Sequence, residues 1–140
     1  MKSKGIRILF LVFVAALMLG TISYAANESS LYLAGYYANI SKTGNTIHVN
    51  FEVYGTRTMD TIGATEIYLY EKASGSSSWT LVETYLSTDL AYASAMIDTN
   101  TGCKCDSVSY NGSSSKQYKA YVTVYAEKDG GSDSRNIIAN

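Results

Sequence analysis

Between Thr46 and Tyr54 the chain reads TIHVNFEVY, in which Ile47, Val49, Phe51 and Val53 alternate strictly with His48, Asn50, Glu52 and Tyr54. A period of two puts the four apolar side chains on one face of a strand and the polar set on the other. A helix, with its period of 3.6, would scatter the same residues around its circumference. Comparable runs follow. LYLAGYYANI (Leu31 to Ile40) reads as a strand bent at Gly35, and SKTGN after it carries hairpin-turn residues. Ala64 to Lys72 and Trp79 to Leu86 are expected to pair as a hairpin across the tip ASGSSS. Ala91 to Ile97 is a fifth strand candidate, Gln117 to Ala126 a sixth, and Arg135 to Ala139, after the turn EKDGGSDS, a last one. The segment GTRTMDTIG, Gly55 to Gly63, reads as a looser link. Asp98 to Lys116 is polar and Gly-rich, with a short strand around Val108.

No segment beyond the N-terminus shows helical periodicity. Proline is absent, where average usage predicts about seven, and tyrosine is abundant at 13 residues. Tyr, Thr, Val and Ile fit a pleated, half-buried surface, and Ser and Gly fill the turns. Seven short strands at turn-punctuated intervals lead us to expect an all-β chain, an immunoglobulin-like two-sheet antiparallel sandwich. A small closed barrel is the alternative.

The first 25 residues read as an address. Lys2, Lys4 and Arg7 precede an apolar run from Ile8 to Leu19, and Ser23-Tyr24-Ala25 supplies a cleavage site. The run is shorter than the roughly 20 apolar residues that span a bilayer. Residues 26–140 are then the exported product, one domain without a stable membrane anchor, with eight Lys and Arg against twelve Asp and Glu, a net charge of −4. That balance argues against nucleic acid or anionic lipid as a partner, since both need clustered cations.

The run YKAYVTVYA, Tyr118 to Ala126, resembles strand F of immunoglobulin-like and fibronectin type III domains. The resemblance implies that Tyr118 tucks its hydroxyl back against the backbone, as in a tyrosine corner. EIYLYEKASGSSSWTLVETY looks like the neighbouring C–C′ hairpin, although no Cys pair matches the bridge of antibody domains. From Gly55 to Arg135 the chain is also similar to a family of small secreted proteins from Gram-positive bacteria, of unknown function. That likeness implies location and architecture and brings no active site.

Several side chains are candidates for chemistry. Cys103 and Cys105, in GCKC, could form a disulfide within or between chains, remain thiols, or hold a soft metal. Residues i and i+2 of a strand lie nearly 7 Å apart, so a mutual bridge would demand a tight turn at Lys104. His48 is the sole histidine, which leaves no Ser-His-Asp or Cys-His assembly. Glu52, Glu66, Glu71 and Glu83 sit on polar strand faces or ends, where carboxylates are poor general acids at neutral pH. DTNTG, Asp98 to Gly102, resembles the start of a calcium loop but lacks its closing Glu; Asp106, or Asp129 with Asp133, could complete another site.

The tyrosines carry the strongest signal. In an immunoglobulin-like topology the strands holding Tyr68 and Tyr70 and holding Tyr121 and Tyr125 are neighbours, and all four rings face outward. Trp79 or Tyr85 could extend the patch. Tyrosine offers stiff, amphipathic contact area at low entropic cost. The expectation is a secreted, non-catalytic binding or cell-surface module that meets an extracellular glycan, a protein or itself through Tyr68, Tyr70, Tyr121 and Tyr125, without a cofactor. The alternative is a secreted effector or antimicrobial acting through the GCKC loop.

Overall fold

The computed structural model describes residues 30–140; the expected leader, residues 1–25, lies outside them. Six strands and one helical turn follow in order: β1 (Leu33–Thr43), β2 (Thr46–Lys72), β3 (Thr80–Leu86), α1 (Ala93–Met96), β4 (Ile97–Asn111), β5 (Gln117–Lys128) and β6 (Gly131–Ala139). All strand pairing is antiparallel and belongs to one sheet.

At 27 residues, β2 organises everything else. Its first part pairs with β1 and β4, and its second part with β5 and β3. β6 then adds to β5. Along β2 the residues Ile47, Val49, Phe51, Val53, Met59, Ile62, Ala64, Ile67 and Leu69 are buried, as are Val122, Val124 and Ala126 of β5. Each fully buried aliphatic side chain contributes about 1.5–3 kcal/mol by leaving water. To enclose this single apolar face the sheet curls into a half-barrel. β1 and β6 approach where the curl nearly closes, and Ile40 donates its N–H to the Asn140 carbonyl at 3.4 Å.

The expected all-β class holds, with a different architecture. One curled six-stranded sheet stands where two stacked sheets were expected. The reason lies at Gly55 to Gly63, read from the sequence as a link. The ladder shifts register between Tyr54 and Met59 and then resumes, so two expected strands are one bent strand. Gly63 makes the bend possible: its φ is 149°, and a Cβ there would collide with the carbonyl oxygen of Met96. Only glycine lets the fully buried Met96 backbone lie so close.

Two further differences have simple causes. Ala91 to Ile97, expected as a strand, holds the helical turn α1. Its Ala-Ser-Ala-Met residues favour helix, and Asp89 accepts the N–H of Ala91 through its side chain and that of Ala93 through its carbonyl. The polar segment after it is the long strand β4, of which only Val108 is buried. Its ladder with β2, not hydrophobicity, holds it extended.

The tuck expected at Tyr118 is present: the Ser113 N–H donates to its phenolic oxygen at 2.7 Å, and its O–H faces the Ser113 carbonyl at 3.2 Å. Here the contact ties the β4–β5 turn onto a curled sheet.

Gly63→Ala is expected to cost about 2 kcal/mol or more, from strain and overlap with Met96. Gly75→Ala, also at positive φ but with nothing within 4 Å of its Cβ, should cost about 1 kcal/mol. Urea denaturation of both variants measures the difference, and equal costs would contradict the close packing at Gly63.

Candidate ligand-binding face

The second part of β2 is covered on its inner face and open on its outer one. Ile67 and Leu69 are fully buried, so Tyr68 and Tyr70 point outward. Tyr68 stands opposite Tyr121 of β5 and Thr84 of β3; Tyr70 stands opposite Lys119 of β5 and Leu81 of β3. Tyr121 in turn faces Ile138 of β6. The rings of Tyr70 and Tyr121 meet edge to face, with centroids 5.6 Å apart and planes at 85°, the arrangement that ring quadrupoles favour. Leu81 and Ile138 flank the rings and are 47% and 56% exposed, which makes the patch apolar across four strands.

Lys119 sits at its centre. Its Nζ lies 4.7 Å from the Trp79 ring centroid, 5.3 Å from that of Tyr121 and 5.7 Å from that of Tyr70. Lys72 approaches the same indole at 4.9 Å. All four distances fall within cation–π range. Neither lysine has a carboxylate partner among the described residues, whereas Lys104, Lys116, Lys128, Arg57 and Arg135 all do. The face is therefore aromatic and positively charged on a chain that is acidic overall. Glu66 accepts a hydrogen bond from the Tyr68 hydroxyl at 3.3 Å, and its charge pushes that phenol's pKa up.

The four tyrosines divide three and one. Tyr68, Tyr70 and Tyr121 are contiguous. Tyr125 lies farther along β5, opposite Gly63, with Thr123 between it and Tyr121. Its hydroxyl donates to Glu127 at 2.7 Å, a bond that raises its pKa. Tyr125 instead lines a cleft of about 530 Å³ with Thr61, Thr65, Ser87, Ala93, Ser94 and Ile97. Trp79 joins the face, but Tyr85 does not: it is a core residue whose hydroxyl donates to the Ser109 carbonyl at 2.9 Å. Lys119, Leu81 and Ile138 were not singled out from the sequence. The signal for Lys119 was available, because its odd position in QYKAYVTVYA shares the outward parity of Tyr121.

The remaining candidates lie apart from this face. Cys103 and Cys105 are exposed free thiols on β4, opposite Tyr54 and Glu52. Cys105 Sγ lies 3.7 Å from the Tyr54 hydroxyl, which itself donates to Glu52 at 2.9 Å. The contact with Cys105, then that with Glu52, pushes the Tyr54 phenol well above its ordinary range. His48 shares a hydrogen bond of 3.0 Å with Ser109. Glu52 and Glu66 accept from tyrosines, Glu71 pairs with Lys116, and Glu83 accepts the Thr84 N–H, so these carboxylates act separately. Asp98 to Gly102 lies within β4, and no group of three His, Cys, Asp or Glu among the described residues could hold a metal ion.

No family model matches the chain, and neither the curated proteins nor the solved structures contain a match. No helix among the described residues is long and apolar enough to cross a membrane.

Trp79 is the sole tryptophan, so its fluorescence reports on the centre of the face. Lys119→Met should change Trp79 emission and Lys72→Met/Lys119→Met should change it further, at a stability cost below about 1 kcal/mol per lysine. Spectra identical to wild type would show that neither ammonium rests on the indole in solution.

Proposed function

We propose that the protein is an exported, non-catalytic binding module that meets an extracellular glycan or protein through the outer face of β2, β3, β5 and β6. The observation that carries this reading is the set Tyr70, Tyr121 and Trp79 gathered around Lys119, with Tyr68 beside Tyr121. Contiguous exposed aromatic surface marks interaction sites more often than isolated apolar residues do. Aromatic side chains with a nearby cation also form the energetic centre of many interfaces.

Structural use alone explains the patch less well. Cross-strand aromatic pairs stabilise a sheet by about 0.2–1 kcal/mol, but that gain does not require Leu81 and Ile138 to stay open around them. Export rests on the charged and apolar pattern of residues 1–25. Kinship with the small secreted Gram-positive proteins, and an immunoglobulin-like relationship centred on Tyr118 and the β2–β5 pair, belong to the same proposal. The separate hydrogen bonding of the carboxylates supports a non-catalytic role.

The test uses an array of purified polysaccharides and extracellular proteins, probed with wild type and with Tyr68→Ser/Tyr70→Ser/Tyr121→Ser. The triple variant should keep its far-ultraviolet circular dichroism and lose at least about tenfold in affinity, near 1.4 kcal/mol. Tyr125→Ser should bind as wild type does. Undiminished binding by a folded triple variant would overturn the assignment.

A further inference from the structure

One edge of β4 pairs with β2, and no strand among the described residues pairs with the other. Unpaired edges invite further strand pairing, and proteins usually blunt them with Pro, bulges or exposed Lys. This one carries only local side-chain caps: Thr101 Oγ1 accepts the Cys103 N–H at 3.5 Å and donates to the Cys103 carbonyl at 3.3 Å, Asp106 accepts the Ser107 N–H at 2.8 Å, and Tyr85 donates to the Ser109 carbonyl at 2.9 Å; a facing strand would displace the first three. The chain has no Pro, and the register with β2 is unbroken from Cys103 to Asn111, although it slips between Thr101 and Cys103, where Asn100 has a φ of 53°. The one lysine, Lys104, turns its Nζ onto the Ser94 carbonyl at 2.9 Å and onto Asp106 at 3.1 Å, leaving that ammonium largely covered.

We infer that this edge pairs antiparallel with the same edge of a second copy, about a two-fold axis at Lys104, and that Cys103–Cys105 disulfides between the copies lock the pair. Cys103 and Cys105 lie on one face of an extended strand, both exposed and free. Their separation of about 7 Å along the strand exceeds the Cβ spacing of a disulfide, about 3.8 Å, so they do not bridge each other there. Directly opposite residues of an antiparallel pair have Cβ atoms about 4.5–5.5 Å apart, and small adjustments bring them into bonding range.

A two-fold register centred on Lys104 sets Cys103 against Cys105 of the second copy and Cys105 against its Cys103. One symmetric contact thus matches both thiols at once. The only like charges this register brings opposite are the two Lys104, both already turned into their own chains. A pair of edge strands buries less area than a standard stable interface. The covalent bonds therefore hold the dimer, and reduction releases it.

Formation needs an oxidant, for which an external disulfide such as oxidised glutathione serves. A Cys thiolate of one copy attacks it, forming a mixed disulfide and releasing one glutathione thiolate. The facing Cys of the second copy then displaces the other. Each bond converts two protein thiols and one oxidised glutathione into one protein disulfide and two glutathione thiols.

The test treats purified protein with oxidised glutathione and follows it by non-reducing electrophoresis and mass spectrometry. Wild type should give a dimer that dithiothreitol returns to monomer. Cys103→Ser and Cys105→Ser should each remain monomeric when oxidised alone, because each places its thiol opposite a serine. Their equimolar mixture should yield a heterodimer joined through the Cys105 of one variant and the Cys103 of the other. Self-dimerisation of either variant as readily as the mixture would overturn the register. A wild-type monomer, whether internally bridged or with both thiols still open to labelling, would overturn the interface.

Discussion

The structure depends on the continuity of β2. A 27-residue strand is far longer than the usual five or six, and it can stay inside a compact fold only by bending. The bend falls where the ladder slips between Tyr54 and Met59 and where Gly63 admits the Met96 backbone. Because of it, β1, β3, β4 and β5 all pair with one strand, and the apolar residues of both parts of β2 face a shared interior. The half-barrel follows from that constraint. Two independent strands joined by a loop would have been free to enter two separate sheets.

The same bend separates the two outer surfaces. Beyond it, β2 lies between β3 and β5, both rich in large side chains, and their outward parity gathers Tyr68, Tyr70, Tyr121, Trp79 and Lys119. Before it, β2 lies beside β4, whose outward row runs through Cys103 and Cys105 toward an unpaired edge. The aromatic face is suited to a ligand recognised by stacking and charge. The β4 edge is suited to another strand. These are different physical modes of recognition, and they occupy different parts of the molecule, so the proposed ligand binding and the proposed pairing of copies need not compete.

Alternation made much of the fold legible. TIHVNFEVY, EIYLYEK and QYKAYVTVYA declare their buried and open faces, and the pairing of the last two follows from likeness to a known strand pair. The identity of Tyr118 as a tucked tyrosine was legible in the same way. Three things were not. Whether Gly55 to Gly63 bends or breaks a strand depends on the packing of Met96, which lies more than 30 positions away in sequence. The strand β4 carries little hydrophobic signal, because just one of its side chains, Val108, is buried, while Ile97 and Tyr110 pack against the core only in part. The helical turn at Ala93–Met96 is too short for a period to show. Within the site, parity placed the tyrosines outward, but local register decided that Tyr125 stands apart and that Lys119 lies among the rings.

The continuity of β2 is tested most directly by native-state hydrogen exchange, resolved by residue across the bend. If β2 is one strand, the hydrogen-bonded amides of its two parts and those of Met59 to Gly63 exchange through the same global opening, with one shared free energy. Fast exchange confined to Gly55 to Gly63, with different opening free energies on its two sides, would show two strands and a loop, and would contradict the account.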